Sequence, residues 1–240
     1  MKRTPTSRIL RGLTSGLLLL PVACTGTGGS PEAAVREGLN DNFLSAELDV
    51  DSYVARFEVE SREVCALRVE ILEAIGLEPG ESVADIGAGT GLFLEPFSAA
   101  VGDSGTVYAV DISPKFIDHL EERAKEEGYS NVEVVLCDER DSRLPANSVD
   151  AIFVCDTYHH FTYPQTTLAS LRRALRPGGR MIIVDFERIE GVSSEWILGH
   201  VRAGKEVFLA EIEEAGFVLE DEPDIGLVDN YMLRFGRGND

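Results

Sequence analysis

From residue 81 onward, apolar positions alternate between two patterns. Short unbroken apolar runs occupy Ser82–Ile86, Thr106–Asp111, Val132–Leu136, Val149–Cys155 and Arg180–Phe186. Phe217–Glu220 and Tyr231–Phe235 are two further runs near the end. Between them lie segments whose apolar residues recur every three or four positions, as one face of a helix requires. These are Thr90–Val101, Pro114–Glu127, a segment led in by Tyr163-Pro164 and ending at Leu175, and Lys205–Ala215, closed by Gly216. Ser113 and Pro114 supply a cap and a first-turn proline. Arg176-Pro177-Gly178-Gly179 breaks one helix and turns into the next strand. Continuous apolar strands separated by amphipathic helices predict an α/β fold: a doubly wound, mainly parallel sheet of seven strands covered on both faces.

Upstream the pattern is helical. Glu32–Gly38 is a short candidate helix, and Val54–Ile75 a longer one with Val64, Leu67, Ile71, Leu72 and Ile75 on one face. Gly76, Pro79 and Gly80 stop it. Within it, Tyr53–Arg62 is more polar and aromatic than packing needs. A lid over a pocket and a surface helix with paired charges both fit that composition. Residues 1–30 fit no such pattern. Lys2, Arg3, Arg8 and Arg11 precede a mostly apolar run, Gly12–Ala23, too short to span a bilayer and suited to the core of an export signal. Cys24 and the Gly/Thr/Ser stretch after it resemble the processing site and tether of bacterial lipoproteins, with Pro21 departing from that pattern. The expected organisation is a signal peptide over 1–23, a tether over 24–40, a helical cap over 41–78 and the main domain over 79–240. Localisation follows as the cell envelope, attached to the membrane through Cys24; an unused signal would leave the chain in the cytoplasm.

Charge narrows the partners. The chain has 42 acidic and 22 basic residues among 240, a formal net charge of −20, and such a surface repels nucleic-acid backbones. The cysteines at 24, 65, 137 and 155 form no CxxC pair, so neither a disulfide framework nor a metal site is expected.

The most informative stretch is Val83–Phe93. An apolar strand ends in Asp85, and Gly87, Gly89 and Gly91 alternate with small residues before a helical segment begins. Glycines let the chain turn sharply and let a ligand lie against the backbone. Leu92 stands where a dinucleotide fingerprint would place its last glycine. Asp111 ends the next strand, 20 residues past Gly91, where a carboxylate can accept both hydrogens of a ribose diol. Asp85 is badly placed for a pyrophosphate and suits a cationic group.

With Asp85-x-Gly87-x-Gly89-x-Gly91, Val110-Asp111, Leu144–Asp150 and Leu175–Gly179, the chain resembles the class I S-adenosylmethionine-dependent methyltransferases, over roughly residues 45–235. It is most similar to the branch containing quinone-biosynthesis C-methyltransferases. The resemblance implies a Rossmann-like sheet and S-adenosylmethionine as cofactor. It implies that Asp85, Gly87, Ala88 and Gly89 hold the methionine part, with Gly91 completing the loop. Asp111 and Ile112 would hold the ribose, Asp138 and Glu139 would flank the adenine, and Asp156 joins the cofactor side.

Methyl transfer is an in-line displacement in which positioning supplies much of the rate, and a base is needed only where the acceptor must lose a proton. Cys155–Phe161 follows a strand at the sheet's carboxyl edge and holds Tyr158, His159 and His160. His160 or His159 is the candidate base and Tyr158 the candidate orienter; alternatively, the histidines only hold loop geometry. Cys155 reads as a buried apolar residue. Trp196, His200, Arg202 and Lys205 form a polar stretch that fits an acceptor pocket or a solvated helix start. The expected activity is methyl transfer to a small, lipid- or quinone-like acceptor. The alternative is a non-catalytic envelope protein that captures an adenosine-containing ligand.

Overall fold

A computed structural model describes Met1, residues 31–60 and residues 62–239. The expected export signal, Cys24 and most of the tether lie outside the described residues. The chain divides into two units, Met1–Pro31 and Glu32–Asp240, and every element below belongs to the second. No described helix is long and apolar enough to cross a membrane.

Seven strands form one sheet: β1 (Ser82–Ile86), β2 (Thr106–Asp111), β3 (Val132–Leu136), β4 (Val149–Cys155), β5 (Leu175–Phe186), β6 (Phe217–Asp221) and β7 (Asn230–Arg237). Their order is β3-β2-β1-β4-β5-β7-β6, and β1 to β5 run parallel while β7 is antiparallel to both its neighbours. The fold is α/β, doubly wound and Rossmann-like, as the alternating runs predict. Strand order reverses between β1 and β4, so the loops leaving these two strands open a crevice at their carboxyl ends.

The region expected to form the cap contains α1 (Asp41–Leu44), α2 (Val50–Phe57), α3 (Glu63–Ala66) and α4 (Arg68–Ile75), and belongs to the same unit as the sheet. The main domain adds α5 (Leu94–Val101), α6 (Pro114–Glu127), α7 (Pro164–Ala174), α8 (Glu195–His200) and α9 (Lys205–Glu214). One core layer packs Ile71, Ile75, Phe97 and Leu120 against one face of the sheet; the other packs Leu168, Leu171, Phe208 and Ile212 against the opposite face.

Four expectations need correction. Glu32–Gly38 is not a helix: it lies against α7, where the Glu32 carboxylate accepts the first-turn N–H groups of Gln165 (2.9 Å) and Thr166 (2.7 Å). A negative group there satisfies two orphan donors that α7 cannot satisfy itself. The long helix over 54–75 is three helices, because the chain leaves helical geometry after Phe57 and again at Leu67 (φ −101°, ψ 19°). The bends turn Phe57 and Arg62 to the crevice while Val64, Ile71 and Ile75 stay in the core. The helix expected from Thr90 begins at Leu94, since residues 90–93 are still turning out of the glycine loop. The break at Arg176–Gly179 is an irregularity inside β5: Leu175 pairs with Val149, and pairing resumes at Arg180 opposite Ala151.

Candidate functional site

The loop between β1 and α5 is built by glycines in left-handed geometry: Gly87 (φ +76°), Gly89 (φ +55°) and Gly91 (φ +87°). A Cβ at Gly87 would stand 2.4 Å from the Thr157 side chain. One at Gly91 would stand 2.8 Å from Leu94, so that glycine is required by packing rather than by a ligand. Gly89 differs. A Cβ there would meet only ordinary contacts, the Gly87 carbonyl oxygen at 3.8 Å and the Phe57 ring at 4.0 Å. The loop is pinned from below, where the Val110 carbonyl accepts the N–H groups of Gly87 (2.8 Å) and Ala88 (3.1 Å). Asp111 Oδ2 accepts the Gly89 N–H at 2.8 Å, and its Oδ1 accepts that of Ser113 at 2.8 Å.

Above the loop lies a cavity of about 840 Å³. Asp85, Gly87, Ala88, Gly89, Asp111 and Ile112 line one wall. Phe43, Tyr53, Phe57 and Phe116, in mutual tilted or edge contact, form an aromatic wall built from the cap and α6. His159, His160, His200, Phe186 and Trp196 form the third. The Tyr53–Arg62 stretch therefore sits over the crevice, and a lid describes its position better than a surface helix.

Burial raises both acids of the first wall. The Asp85 carboxyl is pushed up to about 7 by loss of solvent and then by the nearby Asp111 charge. Asp111 is pushed up to about 6 by burial, with its backbone hydrogen bonds pulling the other way. Asp156, also raised by burial, is held against Arg62 at 2.5 Å and accepts from Asn230 Nδ2 at 2.6 Å. Burial pushes the Cys155 thiol far up, which suits a packing residue rather than a nucleophile.

The histidine segment forms a 3₁₀ turn over Tyr158–His160. This turn sends the three side chains in different directions. Tyr158 is fully buried and donates to Glu211 Oε2 at 3.0 Å, away from the cavity, so the expected orienter is a core residue. His159 is 1% exposed, its Nδ1 lies 2.7 Å from Asp185 Oδ1, and its backbone N–H donates to Asp185 Oδ2. His160 borders the cavity with its basicity pushed down to about 2, chiefly by burial and then by His159 and His200. His200 is pushed down to about 4 for the same first reason.

Asp138 is a second correction. Its carboxylate accepts the N–H groups of Arg140 and Asp141 and pairs with Arg143 at 2.5 Å, closing its own turn outside the cavity lining. Glu139 accepts from Asn40 Nδ2 (2.9 Å) and Thr162 Oγ1 (2.7 Å), tying the cap to the main domain instead of lining the cavity. Arg202 and Lys205 also turn away: Arg202 forks onto Glu211, and Lys205 pairs with Glu187 and Glu222. Asp185, noted in the sequence only as part of the polar end of the fifth strand, backs His159. Asn230 belongs to the site without having been singled out in the sequence, because it reaches Asp156 from a strand 74 residues later.

Residues 84–183 match the family model described as a methyltransferase domain. The ubiquinone/menaquinone biosynthesis C-methyltransferase of Teredinibacter turnerae is 30% identical over 118 residues, which are 49% of this chain and 47% of that protein. The enzyme of the same name from Pseudomonas fluorescens is 32% identical over 118 residues, 49% and 46%. The chain thus spans about half the length of the curated relatives it matches. A solved methyltransferase of Aquifex aeolicus described as S-adenosylmethionine dependent superposes with TM-score 0.68 at 27% identity, covering 78% of this chain and 97% of that one. The phosphoethanolamine N-methyltransferase 2 of Haemonchus contortus in complex with S-adenosyl-L-methionine shares the fold at TM-score 0.68 and 17% identity, covering 85% and 61%. Residues 84–183, which carry the glycine loop, Asp111 and the histidine turn, are thus the part of the chain similar to a methyltransferase domain, within a Rossmann-like fold shared with these solved structures.

Proposed function

We propose that this chain transfers the methyl group of S-adenosylmethionine to a small, largely apolar acceptor held between the glycine loop and the histidine wall. The observation that carries this reading is the placement of Asp85, Gly89 and Asp111 on one wall of a cavity, with aromatic and histidine side chains on its other walls. The residues fit the cofactor. Gly89 leaves open the space that a Cβ would fill, and two buried acids face a site that would receive a cation and a diol.

When bound, the cofactor supplies an electrophilic methyl on a sulfonium. Asp85 and the loop backbone would hold its amino-acid end, and Asp111 and Ile112 its ribose. Asp111 already fixes the loop through Gly89, so it both shapes and lines the site. Asp156 stands beside the loop, paired to Arg62 of the cap, and keeps the lid seated. Phe43, Tyr53, Phe57 and Phe116 exclude water and offer an apolar surface, which supports an acceptor of the quinone or lipid type, as do the names of the relatives. Holding the acceptor in line with the methyl supplies much of the rate. For an acceptor that must lose a proton, His159 backed by Asp185 would be the base, since burial pushes the basicity of His160 down.

The test is direct. Titrate purified protein with S-adenosylmethionine, then incubate it with quinone and lipid extracts and measure S-adenosylhomocysteine. Binding with turnover is expected; absence of binding would remove this reading.

We further propose that residues 1–23 direct export and that Cys24 anchors the mature chain in the envelope, on the strength of the basic head and apolar run. An envelope location, where this cofactor is scarce, favours the second reading: a module that binds an adenosine-containing ligand without turnover. Binding with no S-adenosylhomocysteine from any extract would select it. Cys24→Ser should release the chain from membranes, and unchanged sedimentation with them would refute the anchor.

A further inference from the structure

Three of the four histidines in the chain converge. His159 and His160 come from the turn after β4 and His200 from the end of α8. One ring nitrogen from each lies within 4.8 Å of those of the other two. Ring packing alone accounts for part of this, since the centroids are 4.3 to 5.1 Å apart and Trp196 stacks on His200 at 4.6 Å. It does not account for the nitrogens. His159 Nε2 and His160 Nδ1 are buried with no hydrogen-bond partner, and such orphaned polar atoms are rare unless something else satisfies them.

The surroundings of His159 are those of a ligand. The carboxylate of Asp185, 0% exposed, accepts at His159 Nδ1, so Nδ1 carries the proton and Nε2 presents a bare lone pair. A carboxylate behind the imidazole in this way fixes the tautomer and raises ligand basicity. The Phe186 and His159 N–H groups hold that carboxylate in turn (2.7 and 3.1 Å). We infer that His159, His160 and His200 form a binding site for one divalent transition metal of the zinc type, with a fourth position open to the cavity. Imidazole ligands suit zinc, cobalt, nickel and copper over the oxygen-seeking magnesium and calcium. Bonds of about 2.0–2.1 Å in a tetrahedron place ligand nitrogens about 3.3 Å apart, so the rings must draw together by about 1–1.5 Å. His200 belongs to a six-residue helix and can supply that motion.

The open position faces the space proposed for the acceptor. Its occupant is water or an oxyanionic group of the cavity's small-molecule ligand, such as a phenolate. This part rests on the proposed function; the metal site does not.

The test uses the full chain, stripped with a chelator and titrated with Co²⁺ in excess Mg²⁺, which occupies the acidic surface. One equivalent of Co²⁺ should bind, give visible absorption of tetrahedral intensity and be displaced by Zn²⁺. Trp196 is the only tryptophan, so stoichiometric quenching of its fluorescence by the paramagnetic ion, reversed by chelator, reports binding at this cluster in the unmodified protein. His200→Ala and His159→Ala should abolish the band, Asp185→Asn should weaken binding about 10–100-fold, and His119→Ala should leave it unchanged. Absence of quenching in the unmodified chain, or a band that survives His200→Ala, overturns the site. These readouts need neither S-adenosylmethionine nor turnover, so a failed transferase assay leaves them standing.

Discussion

Arg62 Nη2 and Asp156 Oδ2, 94 residues apart in sequence, meet at 2.5 Å and join the cap to the end of β4. The Asp156 side chain is 5% exposed and its backbone is held in left-handed geometry (φ +46°), a conformation that a non-glycine residue keeps only when its surroundings insist on it. Arg62→Ala would leave that carboxylate with Asn230 as its partner. Removing one member of a buried pair costs about 3–5 kcal/mol; with Arg62 partly exposed, about 2 kcal/mol is expected. Urea unfolding should show it, and affinity for S-adenosylmethionine should fall as the cap loosens. Unchanged stability and affinity would mean that the pair does not seat the cap.

Gly87→Ala meets two obstacles at once. The new Cβ would lie 2.4 Å from Thr157 Cγ2, and the backbone there has φ +76°. The clash can be relieved from the other side, but the backbone strain cannot. Gly87→Ala should therefore destabilise by about 2 kcal/mol or more, in the range for strain plus overpacking. Adding Thr157→Ala should restore part of that and no more. A double-mutant cycle measures the split, and full additivity of the two changes would place the Thr157 side chain elsewhere.

The frame of this site was legible in the sequence because it rests on local signals. Asp85, the alternating glycines and Asp111 are strand ends and tight turns, set by residues within reach of one another along the chain. The boundaries that failed were decided by distant contacts. Glu32 caps α7 across 133 residues, and the helix over 54–75 breaks where Arg62 reaches Asp156. The histidine wall shows the same division. His159 and His160 stand out as neighbours in the sequence, but His200 joins them only through the packing of α8, and Tyr158 points to Glu211 because a 3₁₀ turn rotates it inward.

Asp111→Ala should lower affinity for S-adenosylmethionine by about 10–100-fold, the loss of one charged hydrogen-bonding group worth about 1.5–3 kcal/mol. It should also free the Gly89 N–H. Asp111→Asn keeps an oxygen for Ser113 or Gly89, so it should hold the loop better while still losing the ionic acceptor. Calorimetric titration of the two variants separates the two roles. Equal losses would mean that the ionic contact with the ligand, and not loop fixation, is what Asp111 contributes.

Asp85 makes stability depend on pH with a definite sign. Its carboxyl ionises near 3.8 in the unfolded chain and about 7 in the folded one. Between these values the folded state binds a proton that the unfolded state does not, so this residue's contribution is fully present below about pH 4 and is lost as pH rises through 7. A shift of about three units corresponds to about 4 kcal/mol at full ionisation. Asp85→Asn imitates the neutral acid at every pH. The variant should therefore match the unmodified chain near pH 3 and exceed it in stability near pH 8, with the gap opening between. Saturating S-adenosylmethionine should close the gap, because a cation beside the carboxylate offsets the burial that raises it. Denaturant midpoints across pH, with and without the ligand, test both statements. Parallel curves for the two proteins would show that Asp85 is already charged and solvated in the empty site.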